Sequence, residues 1–203
     1  MVKRIAAVLF ALLVVTLLTT GAAQDNSATA VVERFQNELL SVMKQADQLG
    51  YQGRYERLAP AVRTSHDLTA IVQIAVGSYW DKLNDKQQAK LVETFAKLSI
   101  STYARRFDGY SGQTFETRAS SKLSPHVASV SSIFRQPDGE EHRFDYVLRQ
   151  NDGGFKIVNI VVDGVSDLAL KRSEYAGTLR NKGFDALISR LKAKIAENTE
   201  APS

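Results

Sequence analysis

No cysteine occurs in the 203 residues, and that absence removes several chemistries at once. A disulfide framework, a thiolate nucleophile, a cysteine metal site and a lipid-modified N-terminal cysteine are all excluded. Histidine is scarce: His66, His126 and His142 are the three, none at metal-ligand spacing with another. No HExxH, GxSxG or phosphate-loop pattern is present, and Gly109-Tyr-Ser-Gly112 is a turn because no lysine-bearing helix start follows it. A large charge excess is also lacking. The formal charge is +4, and without Lys3 and Arg4 it is 4 − 2 = +2, too little for a nucleic-acid footprint.

The chain begins as a secretory signal peptide does. Lys3 and Arg4 form a basic start, residues 5–18 are apolar save Thr16, and the small residues Thr20-Gly-Ala-Ala23 suit a peptidase. Residues 1–23 are therefore expected to be cleaved, which points to a periplasm; the alternative is an uncleaved anchor, since about 20 apolar residues span a bilayer. Residues 24–30 are small and polar and are assigned as a flexible leader. Residues 31–198 are expected to form one domain.

Apolar residues at steps of three and four, Val32, Phe35, Leu39, Val42, Met43, Ala46 and Leu49, predict a helix stopped by Gly50. Residues 50–60 suggest a short helix or turn ended by Pro60. Asp67 caps a second long helix leading to Trp80, and Asn84 with Gln87 forms a capping box for a third that runs to Phe107. After Gly112 the period changes to two. Residues 113–122, 127–135, 143–150 and 155–162 predict four strands, separated by turn signals such as Pro137-Asp-Gly and Asn151-Asp-Gly-Gly. The fold class is α+β: an antiparallel four-stranded sheet covered by helices, NTF2-like in outline. Residues 155–175 join the two kinds of element, with Gly164 turning the chain and Asp167 capping a helix to residue 182. A last helix covers residues 185–196.

Alternation places Asp145 with Arg143, Val147 and Arg149, away from Phe144 and Tyr146, so Asp145 shares a solvated face with arginines rather than serving as a buried base. Asp163 and Asp167 are explained by turn and cap geometry. Small residues at 119–121 and at Ala128, Ser129, Ser131 and Ser132 leave open two accounts: exposed serines on an edge strand, or room for a cavity. The cavity would be walled by Trp80, Phe95, Leu98, Tyr103, Phe134, Tyr146 and Val165, and an apolar pocket suits a hydrophobic ligand. Lys171, Arg172 and five further basic residues up to Lys194 form either solvated helix faces or a surface for anionic headgroups or an acidic partner.

The sequence resembles the MlaC family of periplasmic lipid-binding proteins, also called toluene-tolerance auxiliary proteins. The residues that carry the resemblance are Tyr79-Trp80, Leu83, Gln87-Gln88, Phe95, Thr102-Tyr-Ala104, then Asp163-Gly-Val-Ser166 leading through Leu168 to Lys171-Arg172, Gly183-Phe184 and Leu187-Ile188. The run Ala169-Leu-Lys-Arg172-Ser-Glu-Tyr175 departs from the common family pattern and is similar to the hopanoid-associated HpnM subgroup. The resemblance implies a soluble carrier, not an enzyme, without a cofactor. It would take up a phospholipid or a hopanoid and exchange it with an inner-membrane ABC-type complex and an outer-membrane lipoprotein or porin complex. The competing functions are an NTF2-like enzyme acting on a hydrophobic small molecule and a structural periplasmic adaptor.

Overall fold

A computed structural model describes residues 27–200. The expected signal peptide lies outside the described residues. Part of the expected leader does not: the Ser27 hydroxyl accepts the Ala30 N–H at 3.2 Å and opens α1 (Ala28–Lys44), so residues 28–30 are helical. The inward stripe of α1 is as the spacing predicts, with Val32, Phe35, Leu39 and Val42 at most 2% exposed. The expected break at Gly50 is present, since its φ 58°, ψ −176° is non-helical, but it kinks α2 (Ala46–Ser65) without ending it, and α1 already ends before Gln45. Ala46 is buried and Leu49 packs on the core, so the apolar spacing continues through a bend that periodicity alone does not register.

Pro60 does not end α2 either. Proline removes the N–H that would have bonded the Glu56 carbonyl, and both residues lie on the exposed side of the helix. Arg54 ties α2 to its neighbours: buried to 2%, it donates from Nε to the Ala104 carbonyl at 2.9 Å and from Nη1 to the Ala46 carbonyl at 3.3 Å. The Ala104 carbonyl is in the last turn of α4, the negative end of that helix dipole.

Asp67 caps α3 (Leu68–Val76) through the Ala70 N–H. The helix expected to reach Trp80 turns at Gly77 (φ 55°) into a 3-10 helix, Gly77–Lys82. The Asn84–Gln87 capping box starts α4 (Asp85–Arg106), with both reciprocal bonds at 3.0 Å.

Strands β1 (Thr114–Ser124), β2 (Val127–Arg135), β3 (Glu141–Asn151) and β4 (Gly154–Val162) form the antiparallel meander, and a two-residue β5 (Val165–Ser166) adds a fifth strand to the expected four. Between β4 and β5 the turn places Asp163 (φ 50°) and Gly164 (φ 84°) in the left-handed region. Ser166, not Asp167, caps α5 (Asp167–Lys182), its hydroxyl accepting the Ala169 N–H at 3.1 Å. Asn159 of β4 explains the shift: it holds the Ser166 hydroxyl and accepts the Leu168 N–H, which fixes the helix start from the sheet. After Gly183, α6 (Phe184–Glu200) runs four residues beyond the expected 196.

The helices cover one sheet face. Helix α1 crosses β1, β2 and β4; α2, α3 and α5 each reach β4; α4 forms an outer layer against α2 and α6. The α2–α3 junction is pinned to the sheet, because the Asp67 N–H donates to the Ile157 carbonyl at 2.9 Å. No helix of the described residues is long and apolar enough to cross a membrane.

Candidate functional site

The strand register builds the helix-facing side of the sheet in rows. Ala128, Leu148 and Ile157 align in one row and Val130, Tyr146 and Ile160 in the next. Then follow Thr117, Ser132, Phe144, Val162 and Val165, and finally Phe115, Phe134 and His142. The first rows lie under the helices, where Val130, Leu148 and Ile157 are fully buried. Toward the last row the cover fails: Phe115, Phe134 and Phe144 are each half-buried.

These rings form a continuous aromatic surface. Phe115 and Phe134 are 4.7 Å apart between centroids, Phe134 and Phe144 6.2 Å, and Phe144 stacks on Tyr146 at 6.2 Å. Phe107, just after α4, closes on Phe134 at 6.3 Å and on Tyr103 at 6.1 Å, and Tyr103 meets Phe35 edge-on at 5.1 Å. One end of the sheet thus offers a half-open apolar wall of phenylalanines, and the other end is closed core. Such a wall of rings can hold hydrocarbon, with His142, paired to the Asp163 carboxylate at 2.8 Å, at the end of its last row.

Polar side chains are set into the closed part at a few points. Gln36 of α1, 3% exposed, donates from Nε2 to the Ser132 hydroxyl at 2.9 Å and to the Tyr146 hydroxyl at 3.3 Å. His66 lies between the Ser65 hydroxyl at 2.8 Å and the Tyr103 hydroxyl at 3.2 Å. Burial holds His66 neutral, lowering its pKa to about 4, and burial raises the pKa of Tyr103 and Tyr146. Ser132 is fully buried and accepts the Gln36 amide. The small residues Ala119, Ser120 and Ser121 are exposed on the edge strand, in line with the blander of the two accounts.

Of the seven expected wall residues, the structure brings together Tyr103, Phe134 and Tyr146, joined through Phe107 and Phe144. Phe95 lies elsewhere, buried edge-on to Tyr175 at 6.4 Å, and Leu98 is 7% exposed within the core. Trp80 lines a shallow hollow with Gln88, Ala89 and Val92, away from the sheet. Val165 is 54% exposed: it shares the row of Phe144 and Val162, but β5 is the outermost strand and nothing covers it, so it stands at a rim and is no enclosed wall. Lys171 is ion-paired with Asp167 and Arg172 is exposed without an acidic partner among the described residues. Asp145 pairs with Arg143 at 2.9 Å, as alternation predicts. Phe115 and Phe144 escaped notice as wall residues because their convergence depends on cross-strand register, and Phe35 and Phe107 because theirs depends on how α1 and α4 pack. Their signal was that strand alternation puts Phe144 on the side of Tyr146.

A second concavity, a groove of about 950 Å3, runs along the seam of α1 and α2 to the β3–β4 turn. Its lining includes Val31, Phe35, Ala61 and Phe155, and none of the seven expected residues.

The family model for "MlaC protein" matches residues 33–193. The chain belongs to the MlaC family. A curated relative from Haemophilus influenzae, the intermembrane phospholipid transport system binding protein MlaC, is 24% identical over 191 residues, covering 89% of this chain and 88% of the relative. Among solved structures, the phospholipid-binding protein from Ralstonia solanacearum, determined in complex with a phospholipid, superposes with a TM-score of 0.76 at 21% identity, covering 86% of this chain and 99% of that one. That likeness is one of fold. The matched residues run from α1 into α6 and include the whole aromatic wall.

Proposed function

We propose that this chain is a periplasmic carrier that takes up the apolar part of a phospholipid and moves it between the inner and outer membranes. In this role it exchanges lipid with an ABC-type complex at the inner membrane and a lipoprotein or porin complex at the outer. The observation that carries the proposal is the MlaC family match over residues 33–193, on a sheet whose open end presents Phe115, Phe134 and Phe144.

The physics favours such a device. Each buried CH2 contributes roughly 0.8 kcal/mol, so a two-chain lipid with about thirty of them meets a barrier on the order of 20 kcal/mol to entering water. A carrier avoids that cost by receiving the chains on an apolar wall as they leave the bilayer, with the headgroup left in water. The named relatives favour phospholipid as cargo; the hopanoid-like run at residues 169–175 favours a rigid triterpenoid.

Native mass spectrometry of protein purified under mild conditions, followed by organic extraction, tests both. A bound phospholipid is the expected result, and a bound hopanoid would move the cargo to the second class. Protein that emerges empty and accepts neither lipid from vesicles would end the carrier proposal.

A further inference from the structure

Asp163 is the one residue other than glycine with a positive φ among the described residues, at 50°. Aspartate tolerates that region better than most residues, yet such a turn persists only where its surroundings hold it. The hold comes from the end of β3. Through one oxygen the Asp163 carboxylate accepts the Arg143 N–H at 2.7 Å, and through the other it meets His142 Nδ1 at 2.8 Å. The backbone closes the same ring of contacts, since the Asp163 N–H donates to the Arg143 carbonyl at 2.9 Å.

His142 has a second carboxylate on its other side, with Nε2 3.5 Å from Glu140. A neutral imidazole donates from one nitrogen and an imidazolium from both, so a ring set between two carboxylates is matched by its protonated form. The remaining charges around it are engaged elsewhere. On β2, Phe134 lies opposite the ring, and Arg135 pairs with Glu141 of β3 and Glu116 of β1. Arg143 pairs with Asp145, Asp167 of α5 with Lys171, and Asp138 accepts the Glu140 N–H within the β2–β3 turn. Among the described residues the His142 ring is the cation that Asp163 meets.

The pair stands where the aromatic wall is open. His142 ends the row of Phe115 and Phe134, and just past the turn Val165 pairs with Val162 while Ser166 caps α5. We propose that His142 and Asp163 form a pH-dependent latch, closed when the ring is protonated, that holds the β4–β5 turn and with it the rim of the wall at Val165. The His142 hydrogen bond, ahead of the Arg143 N–H, holds the Asp163 carboxyl below the usual carboxylate range. Asp163 therefore loses its charge only in stronger acid and stays ionised from about pH 8 to about pH 5, the interval in which imidazoles gain their proton. The latch tightens as pH falls through that interval and slackens as pH rises. It acts on the turn whatever the cargo, so it does not rest on the carrier proposal.

Amide hydrogen exchange at Arg143 and Asp163, followed by NMR on the purified protein and corrected for intrinsic rates, tests the latch at about pH 5.5 and about pH 8. Protection of both amides is expected to be roughly threefold higher at the lower pH, a modest factor because the pair is exposed. His142→Gln and Asp163→Asn should each give equal protection at the two pH values; asparagine also tolerates a positive φ, so the second variant keeps the turn. Equal protection in the wild type, or a pH difference that survives in both variants, would overturn the latch. The rim is read separately. Because the chain has no cysteine, Val165→Cys carries a nitroxide label at a single exposed site. Its spectrum should show greater mobility at the higher pH, and no such change when Asp163→Asn is added. A label whose mobility ignores pH would overturn the hold on the rim.

Discussion

The Gln36 amide on α1 donates to the hydroxyls of both Ser132 on β2 and Tyr146 on β3, at 2.9 and 3.3 Å, and so fastens the first helix to the middle of the sheet. All three groups are buried, so their hydrogen bonds have no competition from water. Gln36→Ala is expected to cost about 1–3 kcal/mol, because it strands two hydroxyls in an apolar surround. Urea unfolding checks this, and Gln36→Ala with Ser132→Ala should cost less than the sum of the single changes.

His66 makes stability depend on acidity. Its folded pKa is lowered from 6.5 to about 4 by burial, so between those values the unfolded chain binds the proton and the folded chain does not. The contribution is fully present above about pH 6.5 and is lost as pH falls toward about 4, by an amount on the order of 3 kcal/mol. Melting temperatures measured from pH 7 to pH 4 should fall steeply. In His66→Gln the decline over that window should be shallower, and an unchanged profile would remove His66 as its source.

How far the sequence carries the fold depends on the range of each interaction. The Asn84–Gln87 box and the Asp67 cap were legible because each closes within four residues. The bounds of α5 were read correctly, but its cap was assigned one residue late, to Asp167, because Asn159, from another element, selects Ser166 over its neighbour. Pro60 was expected to end a helix because its exposure, which makes the lost bond cheap, is a tertiary fact. The site shows the same limit. Tyr103, Phe134 and Tyr146 were found as large apolar residues on helix and strand, but the row of Phe115, Phe134 and Phe144 needs the β1–β2–β3 register, which composition does not contain. Val165 was placed on the correct face and assigned too deep, since burial at an edge strand depends on what lies beyond it.

The aromatic wall can be tested without dismantling the core. Phe134 is half-buried among Phe107, Phe115 and Phe144, so Phe134→Ser should cost about 1–2 kcal/mol, part of the value of a fully buried ring. Lipid occupancy should fall several-fold at the same time. A control at Phe95, buried against Tyr175 away from the wall, should weaken the fold with no matching loss of lipid per folded molecule. Equal occupancy in folded Phe134→Ser and wild type, measured by native mass spectrometry, would take the wall out of the lipid path.

Gly50 offers a test of the kink inside α2. At φ 58°, ψ −176° it occupies a region that is essentially confined to glycine, and a Cβ there would meet no atom within 4 Å. The cost of Gly50→Ala is therefore backbone strain alone, roughly 1–3 kcal/mol, with no clash to relieve. Gly53, three residues on, is the contrasting case: its φ is ordinary, and an added Cβ would lie 3.1 Å from the Leu49 side chain. Gly53→Ala should gain about 1 kcal/mol of helix propensity and lose part of it to that contact. The two variants should thus separate clearly in a thermal melt, Gly50→Ala falling by several degrees and Gly53→Ala staying near wild type. If Gly50→Ala instead melts near wild type, as Gly53→Ala should, the kink at Gly50 is not maintained in solution.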